Sequence, residues 1–386
     1  MKPVPILLLT EATAGGTRRH LFDLVTGLDR DAFAPSVLCS PLRDPEFHAD
    51  IARFKALDIP VHIVPMLRDI RHPWHDGRAC RAIRRHLRDH SYRLLHTHSS
   101  KAGFLGRLAA RQGLPGLRVV HTPHVFPFRM KTARPLVWLF ERLEKTAARW
   151  TDRFICVCEE ERQDAVRRGI ADPETFAVIA NGLPSGRAPV SQEEAVGARA
   201  TFGFGPGDLV VGSLGRLAAQ KGFATLLHAA RALASAWPGL RILLAGEGPE
   251  QARLENLAQR LGLGSRLRIL PPPHDARRIH GMLDIFVMPS LWEGLPYGLL
   301  EAMADRRAIV ASRTGGVPEA VRDGQNGRLV PPGDPVALAG AIETLLRDSA
   351  SRQRLGAAAA QTVAARFRLD AMLARTQDVY RRCVSQ

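Results

Sequence analysis

In the first half of the chain, short apolar runs alternate with longer stretches whose apolar residues recur every three to four positions. The runs are residues 4–10, 35–40, 61–65, 94–98, 118–122, 153–158 and 175–180. They are continuous and rich in Val, Ile and Leu, which predicts strands buried on both faces. The intervening segments 17–28, 76–89, 99–112 and 133–150 have helical periodicity. Such alternation predicts a parallel sheet covered by helices. It pauses at 181–208, "NGLPSGRAPVSQEEAVGARATFGFGPGD", where no strand fits and only one short helix does. It resumes with strand-like runs at 209–214, 241–246, 266–270, 284–290, 308–312 and 327–332.

The expected fold is therefore α/β, with two tandem Rossmann-like domains. The boundaries read as 1–182 for the first domain, 183–207 for a linker, 208–365 for the second domain and 366–386 for a terminal helical segment. Ligands of such sheets bind beyond the carboxyl ends of the strands, so the chemistry is expected there, in a cleft between the domains.

Composition changes this picture little. A chain of 386 residues with 45% hydrophobic content can fill two cores. Five cysteines, without metal-ligand spacing, suit a reduced compartment. Cys156 and Cys158 share one face of a strand-like run and read as a buried pair. "VPILLLT" is too short for a secretory signal, and no run approaches the length of a membrane span, so a cytoplasmic, soluble protein is expected. Charge adds more. The net +16 favours anionic partners, and basic residues concentrate at 68–96 and 129–150. Charge alone fits nucleic acid, an anionic membrane or a phosphorylated small molecule. No nucleic-acid-binding motif is present, so nucleic acid is not expected as a partner.

Candidate chemistry falls at predicted strand ends. After the first strand, "TEATAGGTRRH" places Gly15 and Gly16 at the opening of a helix, where backbone N–H groups can meet an anion; a plain tight turn is the alternative. The spacing is not that of a dinucleotide fingerprint. In the second half, "GSLGRLAAQKG" sets Arg216 and Lys221 around a turn, a fork and a point charge suited to a diphosphate, or simply two solvated cations. "LWEGLPYGLLEAMA" holds Glu293 on a loop and Glu301 in a helix spanning 297–304, with Pro296 at its first position. Free N–H groups at 295–298 would form an anion site, and Glu301 could accept hydrogen bonds from a vicinal diol. His96 and His98 end one strand and His121 another; metal binding by the i,i+2 pair is not expected, because no carboxylate accompanies it.

Together, "GSLGRLAAQKG", "LLAGEGPE", "VMPSLWEGLPYGLLEAMA", "TGGVPE" and "DGQNGRLVPPGD" resemble the donor-binding half of retaining glycosyltransferases of family 4, which have the GT-B fold. "GGTRRH", "LLHTHSSKAGFLGRLAA" and "HTPHVFPF" resemble the acceptor-side domain of members that build bacterial polysaccharides. The resemblance implies a nucleotide-sugar as co-substrate, a UDP-sugar by preference, with no cofactor and no metal. It implies a saccharide or polyprenyl-diphosphate-linked acceptor. Arg216 and Lys221 would hold the diphosphate, and Glu301 the ribose. Glu293, with the N–H groups of Gly294 and Leu295, would contact the sugar and distal phosphate. Gly15 and Gly16 would approach the diphosphate, Gly246 and Glu247 would lie near the nucleotide, Leu270–Pro272 near its base, and His121 would orient the transferred sugar.

This chain departs from the family pattern at Leu295–Pro296, at the triple proline of "ILPPPHD" and at Arg18–Arg19. The terminal helix is expected to cross back to the first domain. "FPFRMKTARPLVWLFERLEKTAARW" mixes Phe126, Phe128, Trp138, Phe140 and Trp150 with cations, which suits either a core helix or a peripheral contact with an anionic inner membrane. A nucleotide-sugar epimerase of the same fold and a basic nucleic-acid-binding protein are the alternative readings.

Overall fold

The first apolar run becomes β1 (Val4–Glu11), and its two faces serve two different cores. Ile6 and Leu8 join one buried cluster, Leu7 and Leu9 another. A strand that must be apolar on both faces cannot alternate, which is why the run is continuous. The computed structural model describes residues 2–11, 15–43, 47–66, 72–111, 114–130, 133–186, 190–272 and 275–385. Lys131 and Thr132, Pro273 and His274, and the start of the basic stretch at 68–71 lie outside the described residues.

The chain forms two compact units, Met1–Asn181 with Leu369–Gln386, and Gly182–Arg368. The first unit holds β1, β2 (Phe33–Ser40), β3 (Val61–Ile63), β4 (Leu94–His98), β5 (Arg118–Thr122), β6 (Arg153–Cys156) and β7 (Phe176–Val178). They form one parallel sheet in the order β3-β2-β1-β4-β5-β6-β7. The second holds β8 (Leu209–Leu214), β9 (Leu240–Ala245), β10 (Leu267–Leu270), β11 (Ile285–Met288), β12 (Ala308–Ser312) and β13 (Arg328–Val330). Their order is β10-β9-β8-β11-β12-β13, again parallel. Each expected run contains a strand, and each unit is Rossmann-like. In both sheets the chain winds outward on one side and then returns to wind outward on the other. The reversal lies between β1 and β4 in the first unit and between β8 and β11 in the second, the positions where ligands of doubly wound sheets bind.

The segment read as a linker belongs to the second unit. Its helix, Gln192–Thr201, begins with a capping box between Ser191 and Glu194. Arg199 then donates to Met282 O at 2.9 Å and to Asp284 Oδ2 at 2.7 Å. Asp284 also accepts from Val210 N at 2.8 Å, so the cation and the sheet share one carboxylate. These bonds join residues far apart in sequence, and composition gave no hint of them.

The helix Leu369–Val384 packs with the first unit, as expected. Met372, Tyr380 and Cys383 enter the same buried cluster as Ile6 and Leu8. Cys39, Cys156, Cys158 and Cys383 are buried thiols, and burial pushes Cys39 up to about 12 and Cys383 up to about 11. They act as small apolar groups.

Candidate active site

In the second unit, β8 leads into a tight turn at Ala219–Lys221 that ends at Gly222, whose φ is 65°. A Cβ there would lie 2.1 Å from Pro289 O, so only glycine lets this loop press against the loop after β11. Leu291 N donates to Gln220 O at 2.8 Å across that contact. The contact sets the charged groups. Lys221 Nζ donates to Glu293 Oε1 at 2.6 Å, and the Ser290 hydroxyl donates to the same oxygen at 2.8 Å. The Gln220 amide donates to Trp292 O at 2.9 Å and lies 3.5 Å from Glu293 Oε2. Glu293 is 6% exposed, and a carboxylate so buried is tolerated only with such partners.

The loop after β9 is tied to the loop after β8. Leu217 N donates to Glu247 O at 2.7 Å, and Gly246 N to Leu270 O at 2.8 Å. Gly246 and Glu247 therefore stand beside the Arg216–Lys221 loop at the carboxyl ends of the strands. Arg216 and Glu247 are exposed. Gly294 O accepts from Gly316 N at 2.7 Å, which holds buried Gly294 and Leu295 in place.

The helix Tyr297–Ala304 follows, with Glu301 half-buried about one turn in. Pro296 is the cap of this helix and not its first residue, a correction of one position. Its ψ of 131° is extended, and helical geometry begins only at Tyr297. Lys221 and Glu293, read as separate contacts for phosphate and sugar, are brought together as one ion pair at the strand reversal.

The first unit presents different chemistry at its own reversal. His121, near the end of β5, is fully buried. Its Nδ1 lies 2.8 Å from Thr97 Oγ1 and 3.1 Å from Thr97 O. A carbonyl only accepts, so Nδ1 carries the proton and Nε2 the lone pair. Nε2 is buried and has no hydrogen-bond partner among the described residues. A Cβ on Gly103 would sit 2.3 Å from His121 Cε1, so the helix Ser100–Ala110 admits this ring only through a glycine.

Around it lie His96, His98, His20 and His124. His96 bonds Tyr380 OH at 2.5 Å and Thr122 Oγ1 at 2.8 Å. His98 Nδ1 lies 3.2 Å from His124 Nε2, and His20 Nδ1 lies 3.0 Å from Asn181 Oδ1. Burial holds His96, His98, His121 and His124 well below the ordinary imidazole range and lowers His20 to about 4. The cluster is therefore neutral at neutral pH. Ser99 and His124 both have φ of 62°, a strained value for residues with a side chain. The Ser99 hydroxyl donates to Glu11 Oε1, at the end of β1, at 3.3 Å.

Sequence reasoning passed over Glu11, His20 and His124, although all three stand inside quoted motifs. Their signal was position, at strand ends or on the first helix, and not spacing. Ligand nitrogens of His20, His98 and His124 lie within 4.8 Å of one another. An ion there would have to replace the bond between His98 and His124, so the set is built as a hydrogen-bonded imidazole cluster. Gly15 has φ of 77° and caps the helix Gly16–Gly27. Arg18 and Arg19 are tied to Asp50 at 2.5 Å and Asp23 at 2.6 Å, which makes them structural cations of this unit.

The basic aromatic stretch divides. Phe126 and Phe128 are buried in a small core with Phe154, so for these two residues the core-packing alternative holds. Leu136, Trp138 and Leu139 on the helix Arg134–Ala148 are exposed, Trp138 by 62%. Glu144 of the same helix accepts from buried Arg107 at 2.8 Å. Among the described residues no helix is long and apolar enough to cross a membrane.

Comparison with known proteins agrees with this division. Residues 15–182 match the family of glycosyl transferase 4-like domains, and residues 198–362 match glycosyl transferases group 1. EpsD of Bacillus subtilis, named as a glycosyltransferase, is 31% identical over 306 residues, covering 78% of this chain and 79% of its own. The UDP-Gal:alpha-D-GlcNAc-diphosphoundecaprenol alpha-1,3-galactosyltransferase of Escherichia coli is 32% identical over 234 residues, 60% of each chain. The fold of Anabaena HepE, solved in complex with UDP-glucose, superposes with a TM-score of 0.82 at 21% identity, over 98% of this chain and 99% of that one. Two Rossmann-like units, with the matched domains in this order, make the chain a member of glycosyltransferase family 4 with the GT-B fold.

Proposed function

We propose that the protein transfers a sugar from a nucleotide-sugar, a UDP-sugar by preference, to a saccharide or lipid-linked saccharide in cell-surface polysaccharide synthesis. The observation that carries the reading is the Lys221–Glu293 pair at the strand reversal of the second unit. A diphosphate arriving there meets Lys221 as a point charge and Arg216 as a fork. Lys221 already pairs with Glu293, so an arriving diphosphate shares that cation with the carboxylate and draws further positive charge from Arg216. Glu301 takes the ribose hydroxyls. Gly246 and Glu247 line the nucleotide, while Gly294 and Leu295 present backbone to the distal phosphate and sugar. Gly15 and Gly16 offer N–H groups at a helix start, and His121 orients the transferred sugar. Family membership favours this reading over an epimerase or a nucleic-acid-binding protein.

Retention of anomeric configuration is the proposed outcome, without metal or cofactor. Glu293 has Oε1 engaged by both Lys221 and Ser290, which suits an electrostatic role better than that of a nucleophile. The acceptor hydroxyl attacks from the face that the nucleotide leaves. The C–O bond to phosphate breaks, the new glycosidic bond forms, and the acceptor proton passes to the departing phosphate oxygen. Positioning and stabilisation of the leaving diphosphate supply the rate. Exposed Leu136, Trp138 and Leu139 among basic residues suit peripheral contact with an anionic membrane at the cytoplasmic face.

The test is transfer from UDP-glucose and UDP-galactose to a lipid-linked saccharide, with and without EDTA, and product configuration read by NMR. An α-linked product unaffected by EDTA is expected. A β-linked product would refute retention, and loss of activity in EDTA would refute metal independence.

A further inference from the structure

On the opposite edge of the first sheet from β7, β3 carries His62, beside the helix Pro73–Asp89 and the residue that follows it. His86 lies in the last turn of that helix and His90 is its C-terminal cap, four positions on. Ring centroids are 4.3 Å apart for His62 and His86, 4.2 Å for His86 and His90, and 5.4 Å for His62 and His90. One ligand atom from each of the three rings lies within 4.8 Å of the others. None of these residues belongs to the transfer site, which lies at β1, β4 and β5 in this unit.

We propose that His62, His86 and His90 form a surface site for one borderline divalent transition-metal ion, of which Zn2+ is the representative. Two arguments beyond proximity support it. First, orientation: His90 Nδ1 lies 3.0 Å from His86 O, and a carbonyl only accepts, so Nδ1 is protonated and Nε2 is left as the ligand atom. His86 is steered likewise, its Nε2 lying 3.0 Å from Tyr92 OH, so an outer hydrogen bond holds two of the three rings.

Second, ligand class: the same helix bears Arg84, Arg85 and Arg88, with Asp89 as an opposing charge. A basic surface repels ions held mainly by field, such as Mg2+ and Ca2+. It leaves those whose bonds to imidazole nitrogen are strong, with His90 exposed and room for water as a fourth ligand. Bound there, the ion would clamp the three-residue edge strand β3 to the helix beside it.

The experiment is calorimetric titration of ZnCl2 into the tag-free full-length protein and into His90→Gln and His62→Ala/His86→Ala variants. Cobalt absorption serves as a second readout of nitrogen ligation. Wild-type protein is expected to bind one Zn2+ that His90→Gln weakens at least tenfold and the double variant abolishes, while Mg2+ gives no heat. His90 is an exposed position, so its variant folds, and circular dichroism checks the double variant. Zn2+ binding unchanged by both variants, or no binding by the wild type, would overturn the proposal.

Discussion

The two units share one architecture and present opposite chemistry at the same place in it. At the reversal of the second sheet stand Lys221 and Glu293, a charged pair joined at 2.6 Å. At the reversal of the first stand neutral, buried histidines, with strained backbone at Ser99 and His124. The contrast matches the two kinds of ligand that a glycosyl transfer brings together. A diphosphate carries charge that must be held and then stabilised further as it departs. Sugar hydroxyls are neutral and are recognised by oriented donors and acceptors. A parallel sheet supplies the position; the loops supply the chemistry.

The largest expected effect breaks the charged side. Lys221→Ala should lower kcat for transfer by roughly 10²–10³-fold, the usual cost of removing one donor to developing negative charge. Glu301→Ala should act on binding instead, raising KM for the nucleotide-sugar by about tenfold with a smaller change in kcat. Equal losses of kcat in both variants, measured by steady-state kinetics, would erase the distinction drawn between phosphate and ribose contacts.

The neutral side is tested by Gly103→Ala. The added methyl meets the His121 ring, so a destabilisation of about 1–3 kcal/mol is expected, together with lost transfer. His121→Ala in the same chain removes the clash, and the double variant should regain stability but not activity. Denaturant melts of the four proteins complete the cycle. If the double variant is no more stable than Gly103→Ala, the ring does not occupy the place described.

Acid should separate the units as well. His20 has a folded pKa near 4 against an unfolded value near 6.5, so the unfolded chain binds more protons between these values. Stability is then fully present above about pH 6.5 and is lost as pH falls toward 4, at up to about 1.4 kcal/mol per pH unit for this residue alone. His96, His98, His121 and His124 shift in the same direction. Tm should fall steadily from pH 7 to pH 5, and His20→Gln should flatten the curve. A Tm independent of pH in this window would contradict the neutral cluster.

The smallest effect concerns the surface. Trp138→Ala should leave stability within about 0.5 kcal/mol, since the side chain is exposed. It should reduce flotation with anionic vesicles, and unchanged flotation would remove this residue from any membrane contact.

The strands were legible because a strand buried on both faces must be apolar throughout, and such runs stand out. The helix Phe47–Ala56 was not legible, because only Phe47, Asp50 and Phe54 of its ten residues are buried. In the site, the residue types were readable at Arg216, Lys221, Glu293 and Glu301, but the pairing was not. Lys221 and Glu293 are 72 positions apart, and they meet only because Gly222 lets two loops touch. His20 and Asn181 are 161 apart and meet only across the folded sheet. Motifs name residues; the fold decides which of them share a proton or a charge.

The central claim is that Lys221, set beside Glu293, receives the nucleotide diphosphate. Calorimetric titration of UDP into wild type, Lys221→Ala and His121→Ala tests it most directly. The account predicts saturable one-to-one binding by wild type, at least tenfold weaker binding by Lys221→Ala, and little change in His121→Ala. Equal affinity in Lys221→Ala and wild type would contradict it.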